Sequence, residues 1–295
     1  MKLLCIHAHF DDFEFVAAGT FELCRQKLGQ RVKAKVVVCT DGAAGHHSRP
    51  RAETARMRLR EQMASARIGG YEFEPLRLPD GRRPREACAQ LTTGFYAALW
   101  KVIRDFEPDY IFCPPLPTDS LIGVHPDHIN VAEAVRRVAY MINVPHAFTP
   151  EYPADERRSV PCKTPVILHV HDSYMAGERP FDLAIEVEPA FEKIAAMLWC
   201  HQSQIAEWMP WVGRHNLQAP RSIEDWEGRL RARFKWNNRQ HGIRSSRAFE
   251  VFTVTAWGVV PEYETLLQDF PGLSRSHSHL AQLRRRLQRW QRAGF

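Results

Sequence analysis

The sequence predicts an α/β fold: a Rossmann-like, largely parallel, doubly wound sheet with a C-terminal elaboration. Two observations predict it. Over the first two-thirds of the 295 residues, short β-branched or apolar runs alternate with longer amphipathic stretches, the pattern of successive βαβ units. The composition, 44% hydrophobic and 25% charged, is that of an ordinary globular chain and excludes disordered, collagen-like and disulfide-scaffold proteins.

The elements follow in order. Residues 3–6 form an apolar run that ends in His7-Ala-His9, and 32–39 are β-branched; 74–78 and 110–113 are further short strands. Helical stretches lie between them at about 15–28, 51–68, 85–106 and 126–141. Beyond residue 142 the prolines of 144–153 forbid regular pairing. Strands at 165–170 and 181–187, a helix at 189–207 and a last strand at 249–259 come next. Segment 208–247, rich in Trp, Arg and Asn, reads as an irregular excursion or lid. From Leu280 onward, apolar residues spaced by three and four among arginines predict a basic amphipathic helix. One domain over 1–272, including the excursion, followed by the basic helix of 273–295, is the economical organisation.

Seven cysteines, odd in number, with no CxxC pair and several inside apolar runs, read as free thiols in a reducing compartment. No apolar run approaches the ~18–20 residues of a membrane span, and the N-terminal one stops at Ile6, short of a ~7–15-residue signal core. The expected location is therefore cytoplasmic. A net charge of +6 gathers in clusters near 49–60, 82–85, 229–247 and after 274. Without a nucleic-acid-binding motif these read as solvated surface, and nucleic acid is not an expected partner. Attraction of an acidic substrate is the next reading.

In a sheet of this kind ligands bind at the carboxyl ends of the strands. The first strand ends in His7-Ala-His9-Phe10-Asp11-Asp12-Phe13-Glu14. His9 and Asp12, three apart across a strand-to-helix turn, can converge on one ion, whereas both aspartates could instead merely cap the helix that follows. The segment His125-Pro126-Asp127-His128 follows the strand at 110–113 and opens a helix. Its two histidines share a helical face, and the helix N-terminus favours neutral, ligand-ready imidazole. Two such clusters at one sheet edge point to a metal site of His9, Asp12 and His128. Three protein ligands with an open position make the catalytic arrangement.

The two segments together resemble the LmbE-like, or PIG-L, family of metal-dependent N-deacetylases, whose motifs read A-H-P-D-D-x-E and H-P-D-H. Thr40-Asp41-Gly42, Arg58 to Glu61, Leu78 to Gly81, His201 to Gln204 and Ala248 to Phe252 extend the resemblance over roughly residues 1–260. It implies that His9, Asp12 and His128 bind zinc, with iron(II) or another divalent ion as alternatives. It implies further that Asp11 is the general base toward metal-activated water. His125 would stabilise the oxyanion or protonate the leaving amine, and Asp127 would orient a histidine. Arg58 and Asp80 match positions that contact the substrate sugar, and Glu14 would support the turn.

Two positions depart from the family pattern. Phe10 replaces the proline of the first motif and implies a change in loop stiffness with the ligands intact. Gly123 stands where some members place a catalytic tyrosine, and glycine supplies no such donor.

The expected activity is removal of an N-acetyl or small acyl group from an amino sugar or sugar conjugate, such as an N-acetylglucosamine derivative. The alternatives are an amidase of a larger acyl or thiol conjugate and a metal-dependent sugar-binding protein without turnover. A homo-oligomer is compatible with the sequence. A dinucleotide-dependent dehydrogenase fails because no G-x-G-x-x-G follows the first strand. The tryptophans between 208 and 236 are candidates for a sugar-stacking platform.

Overall fold

Seven strands, β1 (Lys2–His7), β2 (Lys33–Val38), β3 (Glu72–Pro75), β4 (Tyr110–Cys113), β5 (Val166–Val170), β6 (Leu183–Glu186) and β7 (Phe249–Val254), make one sheet. Its order is β3-β2-β1-β4-β5-β7-β6. The computed structural model describes the chain apart from residues 120, 122, 157–161, 176–180, 214–216 and 295. All pairings from β3 to β5 are parallel, and β7 runs antiparallel to both β5 and β6.

Alternate strand residues face opposite layers. Leu3, Cys5, Val36, Val38, Phe112 and Leu168 enter one core cluster, and Leu4, Ile6, Val37, Ile111 and Ile167 the other. Burial on both faces explains why these strands read as continuous apolar runs. The helices on the two faces are α1 (Asp12–Val16), α2 (Ala18–Leu28), α3 (Arg51–Gly69), α4 (Thr93–Phe106), α5 (Pro126–Met141) and α6 (Phe191–Trp199). A π-helical turn (Ser203–Trp208), α7 (Met209–Val212), α8 (Ile223–Gln240), α9 (Tyr263–Asp269) and α10 (Leu280–Arg292) complete the set. Leu283 and Leu287 of α10 are buried in the first cluster.

The chain steps outward from β1 to β2 and β3, then crosses back to lay β4 against the other flank of β1. The carboxyl ends of β1 and β4 therefore diverge into opposite connections and leave a crevice between them, the usual ligand position in such sheets.

Some sequence expectations move. The helix expected at 15–28 is two helices: α1 starts earlier, at Asp12, and the chain breaks at Ala17. The Glu250 carboxylate explains the break. It accepts from the Gly19 and Thr20 N–H groups at 2.8 Å each, satisfying donors at the start of α2. α4 begins at Thr93, whose preceding Thr92 side chain caps Phe95 N–H, so residues 85–92 are loop. The excursion is not irregular throughout, since it contains the 18-residue α8. Trp226, Leu230 and Phe234, four apart, bury one side of it; residues 214–216 of the excursion lie outside the described residues. Phe10 is fully buried against Gly42 and Phe73, so packing anchors the loop where the family carries proline.

Candidate active site

After β1 the chain turns sharply, and Asp11 takes a left-handed φ of 87° before α1 begins. The turn swings the Asp12 carboxylate back under the strand end. Its Oδ2 accepts from the His9 backbone N–H at 2.7 Å and lies 2.6 Å from His7 Nδ1. From the other side of the crevice, α5 presents His125 as its extended N-cap, Pro126 in its first turn and His128 one turn in.

The helix brings His128 Nε2 to 3.0 Å from His9 Nδ1 and 3.6 Å from Asp12 Oδ2, while His9 Nδ1 is 3.4 Å from that same oxygen. Ligand atoms ~2.0–2.1 Å from one tetrahedral ion stand about 3.3 Å apart. The three donors thus form a triangle of the size that a single divalent ion spans. The nitrogens of His9, His125 and His128, and the donors of His7, Asp12 and His128, also gather within 4.8 Å.

The groups behind the imidazoles fit a metal equally well. Asp127 Oδ2 lies 3.1 Å from His9 Nε2, and Asp172 Oδ2 lies 2.5 Å from His128 Nδ1. A carboxylate on the far ring nitrogen fixes the tautomer that offers the near nitrogen to a metal. Asp127 is held in turn by the N–H groups of Ala87 (2.6 Å) and Ala89 (3.0 Å), from the loop before α4. Asp172 accepts from Tyr174 N–H at 2.9 Å.

The field of these carboxylates favours positive charge. Burial opposes a proton on His9, but Asp12, Asp127 and Glu86 outweigh it and push the ring up to about 10. Burial would raise Asp12, yet His7, His128 and His9 hold it well below the usual carboxylate range. His125 goes the other way: burial, then the charges of His9 and His128, push it down to about 4, so it is neutral. Its Nδ1 is buried without a partner among the described residues.

Asp11 has a different environment from Asp12. Its N–H donates to Gln62 Oε1 at 3.1 Å, its Oδ1 lies 3.9 Å from Arg58 Nη2, and its buried Oδ2 has no partner among the described residues. Burial pushes its carboxyl up to about 7 against the pull of Arg58, with Asp12 adding to the rise. Arg58 is buried, donating to Glu86 at 2.6 Å and to the Phe10 carbonyl at 3.0 Å. Glu14 is fully buried and accepts from Gln62, Ser65 and Tyr71, tying α1 to α3.

The structure therefore brings His9, Asp11, Asp12, Arg58, His125, Asp127 and His128 into one linked cluster. Asp80 is not joined to it. It lies in an exposed turn with its carboxylate on Arg82. Sequence reasoning passed over His7, Glu86, Asp172 and Tyr174, whose ring stands 5.5 Å from that of His125 and 5.4 Å from that of His128. Position at a strand's carboxyl end was the one signal available for Asp172. The His46 side chain is buried and sits 2.7 Å from Glu207 of the turn at 203–208. Trp211 stacks on His47 and Trp208, at 5.0 and 5.4 Å between centroids.

Residues 4–139 match the family described as PIG-L: GlcNAc-PI de-N-acetylase. This stretch is a PIG-L family domain. It contains every residue of the cluster named above and ends in α5. Similar solved structures extend the likeness past the PIG-L domain. The N,N'-diacetylchitobiose deacetylase of Pyrococcus horikoshii is 22% identical, with a TM-score of 0.63 over 87% of this chain and 84% of that one. GalB, the 4-carboxy-2-hydroxymuconate hydratase of Pseudomonas putida KT2440, is 18% identical, with a TM-score of 0.58 over 86% and 95%. A deacetylase of the teicoplanin biosynthetic pathway is 17% identical, with a TM-score of 0.53 over 87% and 99%. At such identities the likeness is one of fold, and a hydratase shares it. No curated protein matches the chain significantly.

Proposed function

We propose that this protein is a metal-dependent N-deacetylase that removes an acetyl or similar small acyl group from an amino sugar or sugar conjugate. The observation that carries the reading is the triangle of His9 Nδ1, Asp12 Oδ2 and His128 Nε2, 3.0 to 3.6 Å on a side. In the same buried cluster are a carboxylate oxygen without a partner among the described residues, on Asp11, and a neutral imidazole, His125.

His9, Asp12 and His128 would hold zinc, or iron(II) in its place. Bound there, the ion would supply Lewis-acid polarisation of the amide carbonyl and activation of the attacking water. Asp11 takes the proton of that water on its free Oδ2. The left-handed turn, Gln62 and Arg58 fix the carboxylate for this task, so Arg58 acts as a positioning residue held by Glu86. His125, with no charge of its own, donates a hydrogen bond to the developing oxyanion, and the proton taken up by Asp11 passes to the leaving amine. Asp127 and Asp172 hold the rings of His9 and His128. The exposed outer face of the Trp208–Trp211–His47 stack offers the sugar an aromatic surface.

The test is free-amine release by zinc-loaded protein from a panel of N-acetylated sugars and conjugates, with Asp11→Asn alongside. The wild type should release amine. The variant should keep one metal per chain and lose about 10²- to 10⁴-fold in rate, the usual worth of general acid–base catalysis. Silence across the panel with metal bound would favour the amidase of larger acyl groups, and failure to bind metal would sink the catalytic reading.

A further inference from the structure

The loops that follow β4 and β5 meet beside His125. Asp172 opens a tight turn: its carbonyl accepts from Met175 N–H at 3.0 Å, and its Oδ1 accepts from Tyr174 N–H at 2.9 Å. The Tyr174 carbonyl accepts in turn from Gly123 N–H at 3.1 Å, in the loop after β4. Gly123 has a left-handed φ of 85°, and a Cβ there would sit 2.7 Å from Pro117 Cβ, so glycine alone brings its N–H to this place without strain. Met175, the next residue, is fully buried. The Tyr174 backbone is thus pinned at both its N–H and its carbonyl, while the residue itself stays 52% exposed.

Its ring stands edge-on to two imidazoles at once, at 69° to His125 and 75° to His128. These are the neutral donor and one of the three ligands of the proposed centre. An amide carbonyl placed for attack has to reach both the ion that His128 would hold and the N–H of His125. The Tyr174 ring borders that same space. Its hydroxyl has no hydrogen-bond partner among the described residues. Burial, then the charges of Asp12, Asp11 and Asp172, raise the phenol above its ordinary value. The hydroxyl therefore keeps its proton at neutral pH and is free to donate it to a hydrogen bond.

We infer that Tyr174 is a second oxyanion donor, its hydroxyl donating a hydrogen bond to the substrate's carbonyl oxygen alongside His125. No proton changes hands in this contact. A donor aimed at the place where charge develops is worth most when it is held there beforehand. The turn at Asp172 and the Gly123 N–H do that holding. The assignment deepens the deacetylase reading and rests on it.

The experiment compares zinc-loaded wild type with Tyr174→Phe, which keeps the ring, and Tyr174→Leu, which does not. On an N-acetyl sugar that the wild type hydrolyses, Tyr174→Phe should lose about 10²- to 10³-fold in kcat, the worth of one oxyanion donor. KM should change little, because the bond strengthens only in the transition state, and the metal content should match the wild type. A second readout needs no turnover: calorimetric titration with acetohydroxamate, a zinc chelator with a negative oxygen. Its affinity should fall about tenfold or more in Tyr174→Phe, the usual worth of a hydrogen bond to a charged group. Wild-type kcat and acetohydroxamate affinity in Tyr174→Phe overturn the inference and leave the deacetylase reading standing. Impairment of Tyr174→Leu alone assigns the residue to packing and overturns it too, as does a fall in kcat that follows lost metal. Weakened acetohydroxamate binding in Tyr174→Phe, with no N-acetyl compound turned over by the wild type, sustains the Tyr174 donor and sinks the deacetylase reading instead.

Discussion

Asp172 is the residue on which the proposed metal site depends without itself being one of its ligands. Its Oδ2 holds His128 Nδ1 at 2.5 Å, and nothing else among the described residues fixes that ring's tautomer. Asp172→Ala should therefore leave the fold standing while metal affinity drops about 10- to 100-fold, the usual cost of losing such a support. Competition with a chelating indicator reads it directly; unchanged affinity would show that the packing of the His128 ring suffices to orient it. Local spacing made His9, Asp12, His125, Asp127 and His128 legible in the sequence, because His9 and Asp12, and His125 and His128, are each three residues apart and Asp127 stands between the latter two. Asp172 is 44 residues from His128, too far for any local spacing to show the pairing. Lone residues of common types carry no periodic signal, so only the folded sheet edge brings them to the crevice. Arg58 was legible as a site residue, but its burial on Glu86 was not, since that pairing spans a helix, a strand and a loop.

Among the elements, the parallel half of the sheet was readable because burial on both faces makes its strands uniformly apolar. The antiparallel insertion of β7 between β5 and β6 leaves no such mark, and neither does the break between α1 and α2. Beyond that break α2 lies close to the turn before α6 and to α6 itself. A Cβ on Gly19 would sit 2.6 Å from Val187 Cβ and 2.9 Å from Ile194 Cδ1. Gly19→Ala should cost about 1–3 kcal/mol by overpacking, visible as a lower urea midpoint with an unchanged slope. A neutral result would mean that the two helices can separate without penalty to the core. The same reasoning covers α8. Its apolar spacing, Trp226-Leu230-Phe234, was present in the sequence, but the density of arginines and asparagines around it reads as loop when no core is in view.

For the molecule as a whole, the net charge of +6 is less a binding surface than its clusters suggest. Arg231 lies over Phe191 at 3.9 Å, Arg284 over Tyr263 at 5.3 Å and Arg286 over Trp290 at 5.0 Å, so many of these side chains cover aromatic faces. Arg286 does more, because it ties α10 to the antiparallel edge of the sheet. Its guanidinium donates to Asp182, which also accepts from Val254 N–H at 2.7 Å. Burial pushes the Asp182 carboxyl up, and Arg286 opposes the rise. A carboxyl whose folded value exceeds its unfolded one binds protons more tightly when folded, so it lowers stability as pH rises through that window. Removing Arg286 widens the window upward. Breaking a fully buried pair from one side costs ~3–5 kcal/mol. Because Arg286 keeps 23% of its side chain in solvent, about 2–4 kcal/mol is the discounted expectation for Arg286→Gln at neutral pH. The deficit should shrink as the pH falls and Asp182 takes up its proton, because no buried charge is then left unpaired. Thermal melts of wild type and variant at pH 4 and pH 7.5 decide it: a gap that closes at low pH assigns the loss to Asp182, and one that is equal at both assigns it to the packing of Arg286 on Trp290.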